Sequence, residues 1–211
     1  MATDDLTRIE TVENAQGVAT AWAHERRLAV RDFDEFARDW FLRAAPENRV
    51  RINLRATLES FHSVCKHYET EWATNVALLA DLTSSWNLET VKHLAVFNVA
   101  GIAGAAALLT NPAYASQIAT KLALPLFAGG LIAALLNFWT NTRGNALAYR
   151  HALKQRRAAT SAREWKDVGA FLEEFKGKFT PTDWFSIAER VGWSSAAFGL
   201  AGVACLGVSL M

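Results

Sequence analysis

The chain has 211 residues, 51% of them hydrophobic, and 22 Lys and Arg against 21 Asp and Glu give a net charge of +1. That length allows one or two compact units, and a charge so close to zero supplies no field that would steer the chain to nucleic acid. The charge is nevertheless sorted: residues 1–90 carry ten Lys/Arg and fifteen Asp/Glu, residues 91–163 eight and none, and residues 164–211 four and six.

The opening MATDDLTRIE is acidic and lacks the basic-then-apolar order of a leader peptide, so the N-terminus is expected to stay in the cytoplasm. Val18 and Trp22 hint at a first helix, and Phe33, Phe36 and Trp40 form a stripe ending before Pro46. From Val50 the apolar residues are Leu54, Leu58, Phe61, Cys65, Tyr68, Trp72, Val76 and Leu79. Steps of three and four predict one long helix with a coiled-coil-like seam. Pro46 suits the first turn of that helix, where its missing N–H costs nothing. VRINLR alternates like a strand, but it has no partner strand and fits the helix equally well.

Three apolar runs follow: Leu94–Leu109, Leu122–Trp139 and the charge-free Val191–Met211. A spanning helix needs about 20 mostly apolar residues. Three such runs leave too little other chain to cover them as the core of a soluble bundle. The expected fold is therefore an all-α integral membrane protein with three transmembrane helices, a hairpin plus a C-terminal span, and a cytoplasmic helical, coiled-coil-like bundle. The expected divisions are a cytoplasmic helical domain at 1–90, a transmembrane hairpin at 91–142, a cytoplasmic basic and then amphipathic helix at 143–180, and an interfacial helix with the C-terminal span at 181–211.

Orientation follows from the flanks. Arg143, Arg150, Lys154, Arg156, Arg157 and Arg163 follow the second run, whereas the connector TNPAYASQIATK offers only Lys121. Cytoplasmic flanks collect Lys and Arg, so the connector is expected outside and the basic flank inside. The N-terminus is then cytoplasmic and the C-terminus outside, in a bacterial inner membrane. The same flank would suit anionic lipid head groups or the acidic residues of 1–90. Beyond it, Ala158, Trp165, Val168, Leu172, Phe175 and Phe179 repeat at helical spacing until GKF interrupts. TPTD restarts a helix with Thr180 as N-cap, Pro181 in the first turn and Asp183 near its positive end. DWFSIAERVGW reads as a short amphipathic helix at the membrane surface, turning into the last span.

No catalytic constellation emerges. Glu59 and His62 have the Glu-x-x-His spacing of di-iron bundles, which need two such motifs and two more carboxylates. His62, Cys65 and His67 do not converge on one helix face, and structural zinc wants four ligands. Cys65 and Cys205 lie in unlike surroundings and imply no disulfide framework. The spans lack acidic, basic and histidine residues at depth, which argues against a coupled transporter. The expectation is a non-enzymatic chain with no cofactor and no metal, whose partners are the lipid bilayer and either a cytosolic protein or a second copy, and not nucleic acid.

The spans do hold small and amide residues. Asn98, Gly101, Gly104, Gly129, Asn137, Ser195 and Gly199 are the candidate helix-packing positions, since small residues let backbones approach and asparagines hydrogen-bond across helices in lipid. The functional expectation is a membrane-anchored interaction or assembly module. Two spans with flanking cytoplasmic helices resemble small bacterial two-span effector modules, and that resemblance implies the alternative, a self-assembling, membrane-permeabilising effector.

Overall fold

A computed structural model describes residues 6–28, 33–84 and 86–211, leaving aside the side chains of 82–84 and 86–88. The described residues are 84% helical and contain no strand. It divides into two compact units, Met1–Val76 with His151–Glu174, and Ala77–Arg150 with Phe175–Met211.

The first unit contains α1 (Val12–Glu25), α2 (Asp34–Arg43), most of α3 (Arg51–Ser84) and α7 (Trp165–Phe171). It also takes the end of α6 (Ile118–Ser161) from His151 onward. Thr11 caps α1 by accepting the Asn14 N–H at 3.2 Å. The seam residues of α3 form the centre of a core: Leu54, Leu58, Phe61 and Cys65 are fully buried, together with Trp22 and Phe171. The Phe61 ring lies 4.7 Å from Phe36 and meets Trp165 edge-on at 5.4 Å. Trp22 meets Phe33 in the same edge-on way at 5.1 Å, the arrangement that ring quadrupoles favour.

Two local expectations fail here. Pro46 does not open the long helix. It begins a separate 3-10 turn, Pro46–Asn48, because Val50 forms an isolated antiparallel bridge with Arg8 that keeps the backbone extended just before α3. The Ile9 N–H donates to the Arg49 carbonyl at 2.7 Å and the Arg51 N–H to that of Thr7 at 3.0 Å. Nor is 158–179 one helix. α6 ends at Ser161 and α7 starts at Trp165, because Asp167 accepts the backbone N–H groups of Arg163 (2.8 Å) and Glu164 (3.1 Å). The Glu164 side chain completes that capping box.

The second unit contains α4 (Trp86–Thr110), the single turn α5 (Pro112–Ala115), α6 up to Arg150, and α8 (Pro181–Ser209). Three stretches are long and apolar enough to cross a membrane: Glu89–Leu109, Ile118–Ser161 and Pro181–Ser209. Asn111 caps α5 by accepting the Ala113 N–H at 3.0 Å. α6 passes unbroken through the expected boundary at residues 142 and 143, with Pro125 in its early turns. α8 starts as TPTD suggests: the Thr180 hydroxyl accepts the Asp183 N–H and the Asp183 carboxylate accepts that of Thr180. It then runs straight on, so DWFSIAERVGW and the last apolar run are one helix and not two joined by a turn. Gly192, the residue best able to break it, stays helical, and a Cβ there would come within 2.7 Å of the Asn137 amide nitrogen.

Phe61→Ala should cost about 3–5 kcal/mol in equilibrium unfolding of the full chain, as expected for emptying a packed aromatic site. Ile52→Ala on the outer face of α3, where Ile52 is exposed, should change stability by no more than about 0.5 kcal/mol. Equal effects would show that the seam is not a core.

Candidate functional site

The polar chemistry of the second unit lies where its three long helices meet. Asn98 of α4 is wholly buried. Its Nδ2 donates to the Leu94 carbonyl on its own helix (2.8 Å) and to the Ser195 hydroxyl on α8 (3.3 Å). Ser195 in turn donates to the Gly130 carbonyl on α6 at 2.7 Å. A hydroxyl has one hydrogen and two lone pairs, so Ser195 can accept from one helix while donating to another.

Glycine is required at this crossing. A Cβ on Gly130 would fall on the Asn98 amide group. Without it, the Asn98 Oδ1, which has no conventional donor, rests against the Gly130 backbone in the manner of the weak C–H contacts found between close helices. A Cβ on Gly199 would lie 2.5 Å from the Phe97 ring and 3.1 Å from the Asn98 Oδ1. Next to this node the buried Phe127 ring of α6 fits between two glycines. A Cβ on Gly202 of α8 would come within 2.8 Å of the ring, and one on Gly101 of α4 would overlap it.

A second crossing joins α6 to α8. The Asn137 Nδ2 donates to the Ala188 carbonyl at 2.5 Å, and its Oδ1 accepts from Asn141 at 3.1 Å. Nearby, Gly144 faces the Phe185 ring, where a Cβ would come within 2.8 Å.

Of the seven expected packing positions, Asn98, Ser195 and Gly199 meet at the first node, Gly101 adjoins it, and Asn137 forms the second. Gly129 makes only ordinary contact with Phe198, at 3.8 Å from a built Cβ. Gly104 is exposed and faces open space. Sequence reasoning passed over Phe127, Gly130, Gly144, Gly192 and Gly202. A lone phenylalanine among alanines and glycines was the available signal for Phe127.

The basic flank does not act as one group. Arg143 lies over the Trp139 ring at 5.6 Å. Lys154 pairs with Glu173 at 3.7 Å and Arg163 with Glu35 at 3.8 Å. Arg150, Arg156 and Arg157 are exposed. In the first unit, Glu59 pairs with Arg26 at 2.8 Å and the His62 ring meets Trp22 edge-on. Among the described residues no three His, Cys, Asp or Glu side chains converge as metal ligands. An open groove of about 250 Å³ there is lined by Phe36, Asp39, Trp40, Arg43, Ala44, Glu164 and Trp165. Asp39 on its wall is paired to Arg43 at 2.7 Å. Glu164 bonds the Lys166 ammonium and holds it above the ordinary lysine range. Comparison with known protein families, curated proteins and solved structures finds no match.

Gly202→Ala should destabilise the full chain by about 1–3 kcal/mol through overpacking against Phe127. Gly104→Ala should cost nothing and, by helix propensity, gain up to about 1 kcal/mol. Denaturant titration of the purified chain distinguishes them, and a loss on Gly104→Ala equal to that on Gly202→Ala would refute the assignment.

Proposed function

We propose that the chain is a non-enzymatic integral membrane protein whose three spans anchor a cytoplasmic helical head, the first unit, as an interaction or assembly module. One observation carries the membrane reading: the apolar stretches of α4, α6 and α8 are only 17%, 33% and 17% buried. Val96, Val99, Ile132, Leu135, Leu136, Leu200, Val203 and Val208 all point outward. Soluble monomers rarely expose contiguous apolar patches beyond a few hundred Å², whereas a bilayer covers such a surface without cost. Inside the bundle the order is reversed, with asparagine, serine and glycine at the centre. Lipid gives helices no hydrophobic reason to associate, so close backbones and hydrogen bonds hold them.

The basic residues after α6's apolar part favour that end inside and the α5 connector outside. Asn98, Asn137 and Ser195 donate to partners inside the bundle, which favours an anchor over a channel. The alternative, a self-assembling and membrane-permeabilising effector, draws on the outer face of α4. There Ala100, Ala103, Gly104 and Ala107 are all exposed at the spacing that lets two helices approach in lipid.

Expressed in bacteria, the chain should stay in the membrane pellet through alkaline carbonate extraction. A reporter inserted at residues 112–117 should read outside, and one after Ser161 inside. Release by carbonate would overturn the membrane reading, and an inside connector would overturn the orientation. Loss of membrane potential on overexpression, abolished by Gly104→Ile, would replace the anchor with the effector.

A further inference from the structure

The node of Asn98, Gly130 and Ser195 marks a common level on three helices, and a rise of 1.5 Å per residue turns sequence distance into depth. From that level it is about 17 Å to Leu109 on α4, about 18 Å to Ile118 on α6 and about 21 Å to Ser209 on α8. In the opposite direction Trp139 lies about 14 Å away and Trp184 about 17 Å. The hydrocarbon core of a bilayer is about 30 Å thick. If the membrane reading above holds, a node at its middle sets both indoles at the cytoplasmic edge, the depth at which tryptophans collect.

These rings form one cluster. Trp139 and Trp184 meet edge-on at 5.4 Å, and Phe179 lies 5.8 Å from Trp184. The Arg143 guanidinium lies over Trp139 at 5.6 Å. It is one turn further out, about 20 Å from the node, and with head groups included a bilayer reaches about 20–22 Å from its middle. Arg143 is exposed, and no acidic side chain among the described residues pairs with it. Lys178 directly precedes Phe179 and is also exposed. The start of α8 is no rival anion site, because the Thr180 hydroxyl takes the Asp183 N–H and the Asp183 carboxylate stands beside it.

We propose that Arg143, seated on Trp139, binds the phosphate of an anionic phospholipid head group in the cytoplasmic leaflet. A guanidinium offers a planar fork of donors that matches phosphate oxygens, and stacking on an indole leaves that fork free. The neighbouring basic residues have other settings. Lys154 and Arg163 are engaged by Glu173 and Glu35, and Arg156 and Arg157 lie beyond the ring cluster on the same helix.

The test uses the full chain, exchanged into nanodiscs of equal phosphatidylglycerol and phosphatidylcholine, with retained lipid counted by native mass spectrometry. The wild-type chain should hold phosphatidylglycerol in preference. Arg143→Gln should weaken that retention about fivefold, as the loss of one juxtamembrane cation implies. Arg143→Lys should recover only part of it, because an ammonium keeps the charge but lacks the planar fork, and Arg156→Gln with Arg157→Gln should leave it unchanged. Equal loss in the double variant would show diffuse attraction in place of a site. No loss in an Arg143→Gln chain that keeps its helicity and stays in the disc would also overturn the proposal, with the membrane reading intact. A wild-type chain that never enters the disc overturns the membrane reading instead.

Discussion

A carboxamide with no water around it must find partners, and the Asn98 side chain decides much of how the second unit is arranged. Burying such a group unpaired costs about 2–7 kcal/mol depending on the reference state. A hydrogen bond between helices in lipid returns only about 0.6 kcal/mol on average. The amide therefore acts mainly as a constraint: other arrangements are excluded because they strand it. Its hydrogens go to Leu94 and Ser195, and Ser195 passes its own to the Gly130 carbonyl. Sliding α8 by one residue would swing Ser195 through about 100° and break both links. Gly130 and Gly199 stand where this chain of bonds brings backbones close, and Gly101 and Gly202 admit the Phe127 ring beside it.

The first unit is built differently. Rings meet edge-on around Phe61, and exposed ion pairs such as Arg26–Glu59 sit at its rim. Such pairs contribute little to stability, so its cohesion comes from area removed from water. α6 belongs to both units, with Arg150 assigned to the second and His151 to the first. Its basic residues serve different ends accordingly: Arg143 covers an indole, whereas Lys154 and Arg163 answer acids. A run of like charge in the sequence is thus several local solutions that share a helix.

What could be read in advance follows the range of the interaction. The three apolar runs, the Leu54–Leu58–Phe61–Cys65 seam and the Thr180 cap are local patterns, each legible from a few neighbouring residues. The two asparagines stood out as polar breaks in apolar runs, and both form crossings. Glycines resisted reading because their use depends on what arrives from another helix. Gly130 is needed because Asn98 comes, and Gly202 because Phe127 comes, while Gly104 looks identical in sequence and meets nothing. The end of α6 was missed because Glu164 is an unusual cap residue and Trp165 kept the apolar spacing going. The supposed turn before the last run was inferred from a change in composition, but backbone hydrogen bonding continues through Gly192.

The Ser195 link also has an order in time. Its hydroxyl bonds a carbonyl made 65 residues earlier and meets an amide made 97 residues earlier. At about 5–20 residues per second, Gly130 on α6 waits on the order of 3–13 seconds, and Asn98 on α4 about 5–19 seconds, for the helix that completes their contact. During that interval the Asn98 amide retains only its bond to Leu94, and the glycine face around Phe127 stands open on the side α8 will fill. Arrival of the last helix closes that face and gives the amide its second partner at once, so the same serine that sets the register also completes the bundle.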